Sequence, residues 1–256
     1  MTSTTTEIAV ERSTQGWAKI SFHRPEKLNA LSIALRKELH AIVQTLEQDP
    51  NIHVLIITAI GKMFTAGLDL DEWESSEEPA AAAFTNDAVA SLRQFSGPII
   101  AAVQGTAITG GVEIVLACDV IVASSQARFA DTHVHVGLLP GWGGSVRMIE
   151  RVGLQRAKEL AFTGRFFSAQ EALHWGFVNH VVSPEQLMPF TQDLACQMLK
   201  AKPEHLKAYK ALLNAEAEIL HKQALLYERE LAMNHNQRSD LKDIQTRLAQ
   251  FIKNKP

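Results

Sequence analysis

The chain has 256 residues, of which 46% are hydrophobic and 21% charged, which is typical of one large folded domain or a domain with an appendage. Its formal net charge of -3 argues against a broad nucleic-acid-binding surface, which usually requires a basic face. The longest apolar runs, such as PIIAAV, are far shorter than the roughly 20 residues that cross a bilayer, so we expect no membrane segment.

The N-terminal third of the chain predicts two strands, a helix and a third strand. MTSTTTEIAVERS lacks a basic region followed by an apolar run, so no secretory signal is expected. EIAVER and WAKISFHR read as strands joined by the turn STQG. Pro25 breaks the second strand, and Ser32 can cap a helix that runs to about Gln48. HVLIITA is a short apolar run, typical of a strand buried on both faces.

The middle of the chain continues the alternation of strands and helices. GKMFTAGLDLDEW is predicted as a loop, and the acidic, Ala-rich piece from 74 to 83 as either a mobile loop or a frayed helix. A helix from about Asn86 to Phe95 leads into the buried strand PIIAAVQG. GGVEIVLAC predicts a helix that opens at two glycines, and DVIVAS predicts the strand after it. This alternation implies an α/β fold with crossover connections.

The C-terminal part turns mostly helical after Gly141. A helix is expected to begin at Pro184, and two or three helices without a clear strand are expected from Pro203 onwards. We therefore expect a core over residues 1–200 and a helical region over 201–256 that packs on the core or on a neighbouring subunit. Cys118 and Cys196 belong to no CxxC pair, which favours free thiols in a cytoplasmic protein.

Two glycine-containing segments predict backbone donors for an anion. Glycine precedes Leu68 in a loop after a strand, and Gly110 opens a helix whose first turn has unpaired N–H groups. Two such sites facing each other would form an oxyanion hole, in which each donor contributes about 3 kcal/mol in a transition state. Turn or packing roles for these glycines remain open. Glu113, three residues into the helix, either complements the helix dipole or acts on whatever the N-terminus binds.

The stretch FADTHVHVG places Asp131, His133 and His135 at alternate positions. Three interpretations are open: a metal site, a catalytic base, or polar side chains in a loop. In an extended segment the alternation would put all three side chains on one face, although successive ones would be some distance apart. A histidine can perform acid/base chemistry near neutral pH because its unperturbed pKa is about 6.5.

Four segments occur in a distinctive order: RPEKLNALS, GKMFTAGLDLDE, PIIAAVQGTAITGGVEIVLACDVIVAS and GLLPGWGGSVRMIERVG. Together they resemble the crotonase superfamily, that is, the enoyl-CoA hydratase/isomerase family. The resemblance runs from about residue 15 to about residue 185 and includes TGRFFSAQEALHWGFVNHVV. It implies a crotonase-like spiral of β-β-α repeats with a C-terminal helical region, acyl-CoA thioester substrates, and a homotrimer or dimer of trimers.

The resemblance also implies roles for individual residues. The thioester carbonyl would accept hydrogen bonds from the backbone amides of Leu68 and Gly110. The coenzyme A moiety, which is part of the substrate, would lie mainly against the backbone of two segments; no separate cofactor or metal is implied. The residues carried over for that contact are Lys27, Leu28, Ala30, Ala66, Asp69 and Leu70. The segment from Glu72 to Thr85 would line the acyl end of the pocket, and Arg247, Lys253 or Lys255 would meet the CoA phosphates.

Hydratases of this family use two glutamates, and the chain departs from that pattern. Glu113 matches the first glutamate, but His133 stands at the position of the second. His133 would then be a second acid/base or a group that orients substrate, with Asp131 as its support and His135 as a helper or a surface histidine. Thr109 replaces a common glycine, and Trp142 is bulkier than the usual residue. Trp142 either covers or narrows the pocket or has a packing role.

The leading expectation is an enzyme that adds water to, or removes it from, a 2-enoyl-CoA thioester. Three alternatives are double-bond isomerisation, carbon–carbon cleavage by a retro-Claisen step, and a non-catalytic acyl-CoA binding protein. Retention of Glu113 argues against the binding protein, and the missing second glutamate argues for it. No nucleic-acid partner is expected.

Overall fold

The computed structural model describes residues 7–75, 87–237 and 241–253, and their strands form two sheets. The strands are β1 (Ile8–Arg12), β2 (Trp17–Phe22), β3 (Val54–Ala59), β4 (Met63–Thr65), β5 (Ile99–Val103), β6 (Thr106–Ile108), β7 (Val120–Ser124), β8 (Arg128–Ala130), β9 (Phe167–Ser168) and β10 (His180–Val182). The larger sheet has the order β1-β2-β3-β5-β7-β10, and the smaller one has the order β4-β6-β8-β9. β1 is antiparallel to β2 and β9 to β8, and the other pairs are parallel.

The helices connect these strands and then extend beyond them. They are α1 (Ile33–Glu47), α2 (Leu70–Ser75), α3 (Ala88–Leu92), α4 (Gly110–Ala117), α5 (His133–Val136), α6 (Gly144–Val152), α7 (Leu154–Thr163), α8 (Ala169–His174), α9 (Leu187–Met198), α10 (Pro203–Asn236) and α11 (Leu241–Lys253). Short 3-10 turns cover Pro25–Lys27 and Pro184–Gln186. No helix within the described ranges combines the length and apolarity needed to cross a bilayer.

Successive strand pairs wind the chain into a spiral. β3, β5 and β7 each lie in the large sheet and are followed directly by β4, β6 and β8 of the small sheet, and a helix follows each pair. The chain therefore makes repeated β-β-α turns, which confirms the predicted fold class. The ends of the small-sheet strands lie side by side, so the loops that follow them meet at one place.

Burial on both faces explains the apolar runs of the central strands. Leu55 and Ile57 of β3 pack into the main core, whereas Val54 and Ile56 pack on the opposite face against α9. All six residues of β3 are buried, as the sequence predicted. Such a strand has no polar face, so its sequence reads as continuously hydrophobic.

Local capping chemistry accounts for the helix starts that were predicted correctly. Ser32 accepts a hydrogen bond from the amide of Leu35 through its hydroxyl at 2.9 Å, as expected for an N-cap. The helix expected over Asn86–Phe95 is shorter, because Asp87 caps it at Val89 and Ala90 and it covers only Ala88–Leu92.

Other predictions in the second half of the chain need adjustment. Pro184 begins a 3-10 turn, and α9 starts only at Leu187. The short strands β4, β6, β8, β9 and β10 were not predicted. The prediction of a loop for GKMFTAGLDLDEW is wrong at both ends, because β4 and the start of α2 lie within it. The boundary expected near residue 200 falls between α9 and α10. Of the acidic piece, 76–83 lies outside the described residues.

Candidate active site

A cavity of about 480 Å³ lies where the loops after β4 and β6 meet α5 and the C-terminal end of α10. Its wall includes eleven of the twelve residues singled out for the site from the sequence: Lys27, Leu28, Ala30, Ala66, Leu68, Asp69, Leu70, Gly110, Glu113, His133 and Trp142. Asp131, the twelfth, lies behind His133. The fold thus brings together segments that are up to about a hundred residues apart in the chain.

The loops that carry Leu68 and Gly110 approach each other closely. A Cβ atom added to Gly67 would lie 3.3 Å from the amide nitrogen of Gly110, and Gly67 has a φ of +90°, which favours glycine. Leu31 donates to the Gly67 carbonyl at 2.8 Å, which fixes the first loop. Within the described ranges, the amides of Leu68 and Gly110 donate to no other residue. Both residues line the cavity.

Thr109 holds the start of α4 in an unusual backbone conformation. Its φ of 54° and ψ of -112° form a combination that glycine adopts far more readily than threonine. The Thr109 amide donates to the carbonyl of Ala130 at 2.9 Å, and its hydroxyl lies 2.7 Å from that of Thr132. These bonds explain how threonine occupies a position where the resembling family commonly has glycine.

Glu113 is a buried carboxylate held by the backbone of the turn that leads into α6, residues 142–145. Its Oε1 accepts hydrogen bonds from the amides of Trp142 at 2.8 Å and Gly144 at 3.0 Å. A Cβ atom added to Gly144 would lie 2.8 Å from Cγ of Glu113, so only glycine permits this approach. Burial raises the pKa of Glu113 to about 7; the charge of His133 opposes this rise and that of Glu228 adds to it.

His133 faces Glu113 across a short gap and is backed by Asp131. Its Nε2 lies 3.8 Å from Oε2 of Glu113, which is a charge contact too long for a hydrogen bond. Its Nδ1 lies 2.6 Å from Oδ1 of Asp131. Because a carboxylate only accepts, Nδ1 carries the hydrogen and Nε2 faces Glu113 and the cavity.

The two charges of this pair shift both pKa values. Burial alone would lower the pKa of His133, but the negative charge and hydrogen bond of Asp131 outweigh it and raise that pKa. Burial would raise the pKa of Asp131, but the contact with His133 outweighs it, so that pKa is lowered. The pair therefore favours an imidazolium next to a carboxylate.

The expectation that Asp131, His133 and His135 share one face of an extended segment is wrong. Residues His133–Val136 form a helical turn, which brings Asp131 and His133 together and turns His135 elsewhere. His135 contacts the carbonyl of Thr163 through Nε2 at 2.8 Å. The described residues contain no group of three or more His, Cys, Asp or Glu side chains that could hold a metal ion.

Trp142 packs against the start of α4. A Cβ atom added to Gly110 would lie 3.2 Å from Cζ3 of its indole, and the side chain is only 5% exposed while it also lines the cavity. The indole therefore both packs and narrows the space beside the Gly110 amide, so the two roles considered for Trp142 coexist.

Charged side chains near the cavity mouth are partly engaged with one another. Asp69 accepts from Nη1 of Arg24 at 2.5 Å, and Lys27 contacts Asp71 at 3.0 Å on the surface. Arg128, which the sequence did not single out, also lines the cavity and lies 5.0 Å from the ring of Phe166. Arg247 is not among the described residues of the cavity wall, the side chain of Lys253 is not described, and Lys255 lies outside the described residues.

Two side chains of α10 that the sequence did not reveal also belong to this region. Asn236 lines the cavity and exchanges hydrogen bonds with the backbone of Leu139. Glu228, 8% exposed, accepts from the amides of Gly143 and Ser145. Their separation of 83 to 97 residues from these partners leaves no local sequence signal.

Comparison with known proteins agrees with this geometry. The family model described as enoyl-CoA hydratase/isomerase matches residues 12–256. The chain is 35% identical to a short-chain-enoyl-CoA hydratase of Clostridium acetobutylicum, over 90% of this chain and 89% of that protein. It is 33% identical to a probable peroxisomal enoyl-CoA hydratase 1 of Arabidopsis thaliana, over 88% and 85%. A solved structure of enoyl-CoA hydratase from Mycobacterium tuberculosis H37Rv superposes with a TM-score of 0.82 at 34% identity, covering 90% of this chain and 99% of that one.

Proposed function

Since the chain belongs to the enoyl-CoA hydratase/isomerase family, we propose that it hydrates 2-enoyl-CoA thioesters and catalyses the reverse dehydration. One observation carries the proposal: Leu68 and Gly110, whose amides donate to no other described residue, line the same cavity as Glu113 and His133, whose facing atoms are 3.8 Å apart.

The amides of Leu68 and Gly110 would polarise the thioester carbonyl. When water adds to C3, the negative charge moves to the carbonyl oxygen, giving an enolate. Fixed donors stabilise that charge more than the neutral carbonyl and need no reorganisation, so they lower the barrier rather than merely tighten binding.

Glu113 and His133 would divide the two proton transfers. Oε2 of Glu113 and Nε2 of His133 are 3.8 Å apart, so one water on the cavity side would be within hydrogen-bond distance of both. The Glu113 carboxylate takes a proton from this water as its oxygen bonds to C3. The His133 imidazolium then gives its proton to C2 of the enolate, so the substrate gains one water in total. A proton passing from Glu113 back to His133 restores the starting state.

The directions of the two pKa shifts support Glu113 as the proton acceptor and His133 as the proton donor. Asp131 raises the pKa of His133, which favours the proton donor, while Glu113 with a pKa of about 7 is ionised in an increasing fraction above neutrality. The two groups interact, so their apparent pKa values belong to the pair. We expect a bell-shaped dependence of kcat/KM on pH, with the acid limb reporting Glu113 and the alkaline limb His133.

The test is turnover of a panel of 2-enoyl-CoA esters from C4 to C12, followed by loss of the conjugated thioester absorbance and by product mass. Products heavier by one water support hydration. Products of unchanged mass with a moved double bond would instead indicate an isomerase, and shortened acyl-CoA products a retro-Claisen hydrolase. Binding of acyl-CoA without turnover would indicate a binding protein.

We further propose that the chain acts as a homotrimer or dimer of trimers. The long helix α10 exposes large apolar side chains, including Tyr209 at 64% and Leu212 and Leu213 at 52% each, which a neighbouring subunit would cover. Light scattering of the purified protein tests this. We also propose a cytoplasmic location, although relatives in Arabidopsis thaliana and Dictyostelium discoideum are named as peroxisomal and mitochondrial.

A further inference from the structure

Four consecutive backbone amides in the turn that leads into α6, residues 142–145, are shared between two buried carboxylates. Trp142 and Gly144 donate to Oε1 of Glu113. Gly143 donates to Oε1 of Glu228 at 2.6 Å, and Ser145 donates to its Oε2 at 2.8 Å. The Ser145 hydroxyl also contacts Oε2 of Glu228. Successive amides therefore donate alternately to Glu113 and to Glu228. A movement of the turn relative to one carboxylate would strain its hydrogen bonds to the other carboxylate.

Glu228 reaches this turn from outside the cavity. It is buried at 8% exposure on α10, yet it is not among the described residues of the cavity wall. Its hydrogen bonds go to Gly143 and Ser145, neither of which is among those wall residues. Its effect on the reaction would therefore come through the turn to which it is bonded and through its negative charge near Glu113.

The same helix holds the preceding residues as well. Asn236 accepts from the Leu139 amide at 3.0 Å and donates to the Leu139 carbonyl at 3.2 Å. His235 contacts the carbonyl of Gly137 through Nε2 at 2.9 Å. With Glu228, these contacts fix residues 137–145 at three points along one helix. This segment follows the helical turn of His133 and ends at the donors to Glu113.

We propose that Glu228 is a positioning residue for Glu113. Its hydrogen bonds fix the backbone of Gly143 and Ser145. The Trp142 and Gly144 amides then hold Oε1 of Glu113, and its Oε2 is left facing His133. This inference rests on the proposed hydratase function. It gives α10 a role in the active site beyond that of a packing surface. Loss of the lock would let Glu113 drift, and a misplacement of about 1 Å can cost about 100-fold in rate.

The charge of Glu228 adds a second readout. The charged groups that face Glu113 are His133 and Asp131 near α5, Arg147 on α6 and Glu228 on α10. Burial is the main cause of the raised pKa of Glu113, and Glu228 raises it further. Removing the Glu228 charge should therefore lower the pKa of Glu113 and move the acid limb of the pH profile to lower pH.

The experiment compares Glu228→Gln with Glu230→Gln, an exposed position on the same helix. Each variant is assayed for hydration of the best 2-enoyl-CoA substrate across pH. For Glu228→Gln we expect kcat to fall about 10- to 100-fold with KM within about threefold of the parent, and the acid limb to move to lower pH. Glu230→Gln should match the parent. Equal kcat and acid limb in the two variants, or a change in KM alone, would overturn the proposal.

Two additions keep the test decisive. If Glu228→Gln does not fold, Ser145→Ala removes one contact to the carboxylate without changing charge, and kcat should fall about 3- to 10-fold with KM unchanged, in line with one lost hydrogen bond. NMR titration of ¹³C-labelled glutamate carboxyls, with the Glu113 signal assigned through Glu113→Gln, follows that group without any activity. A parent that hydrates nothing sinks the proposed function. An active parent whose kcat is unchanged by Glu228→Gln, or by Ser145→Ala where the first variant does not fold, sinks the lock itself. A Glu113 titration that is the same with and without Glu228 sinks the electrostatic effect of Glu228.

Discussion

Replacing Glu113 by Gln should stabilise the protein at alkaline pH while it abolishes activity. Burial raises the pKa of this carboxyl from 4.5 to about 7. A carboxyl with a raised folded-state pKa contributes stability that is fully present below the unfolded pKa and is lost as the pH rises through the folded pKa. At about 1.36 kcal/mol per pH unit, ionising Glu113 in the folded state costs about 3 kcal/mol by pH 8. Glutamine keeps an oxygen for the Trp142 and Gly144 amides and never ionises.

The assay is equilibrium urea unfolding at pH 5, 6, 7 and 8, at a fixed subunit concentration, for the parent, Glu113→Gln and Glu230→Gln. The free energy of unfolding of Glu113→Gln, relative to the parent, should rise by about 2.5 kcal/mol between pH 5 and pH 8, because a little under about 1 kcal/mol of the effect is already present at pH 5. Most of that rise should come between pH 5 and pH 7. Glu230→Gln is exposed and should show no such trend. A difference between Glu113→Gln and the parent that is constant over this range would mean that Glu113 is ionised throughout, and would refute the reasoning from burial.

Three further predictions concern the same site. Asp131→Asn should lower kcat/KM about 10- to 100-fold, since a charge-assisted hydrogen bond contributes about 1.5–3 kcal/mol. It should also move the alkaline limb of the pH profile to lower pH, because His133 loses the charge that raises its pKa; an unmoved limb would contradict this. Gly144→Ala should lower kcat about 10- to 100-fold, because its Cβ would meet Cγ of Glu113 at 2.8 Å, and a parent-like kcat would exclude that clash. Thr109→Gly should be more stable than Thr109→Ala by about 0.5–2 kcal/mol in thermal or urea unfolding. Both variants lose the contact with Thr132, but only glycine relieves the backbone strain at a φ of 54°. The opposite order of stability would show that the backbone there is not strained.

Features set by short stretches of sequence were predicted well. Ser32 predicts the start of α1, because the side chain of an N-cap residue accepts a hydrogen bond from an amide only three residues away. The apolar run of β3 predicts a strand buried on both faces. Two glycines predicted the loops that meet at the cavity: Gly67, which precedes Leu68, and Gly110, which begins α4. In each case the physical cause lies within a few residues of the pattern.

Features that depend on tertiary contacts were not predicted. Alternation in FADTHVHVG suggested an extended segment, but the chain forms a helical turn that joins Asp131 to His133. The roles of Glu228 and Asn236 arise from contacts 83 to 97 residues away, and on α10 they read as ordinary polar residues of a surface helix. Such contacts appear only when the long helix is placed against the turn.

The most direct test of the catalytic pair is hydration of the best 2-enoyl-CoA substrate by the parent, Glu113→Gln and His133→Ala, with the Kd for acyl-CoA measured on the same samples. We expect kcat to fall about 10²- to 10⁴-fold in each variant, the range of a lost general acid or base, while the Kd stays within about threefold. Unimpaired hydration by His133→Ala would contradict the division of proton transfers between Glu113 and His133. A parent that binds acyl-CoA but hydrates none of the panel would contradict hydration itself.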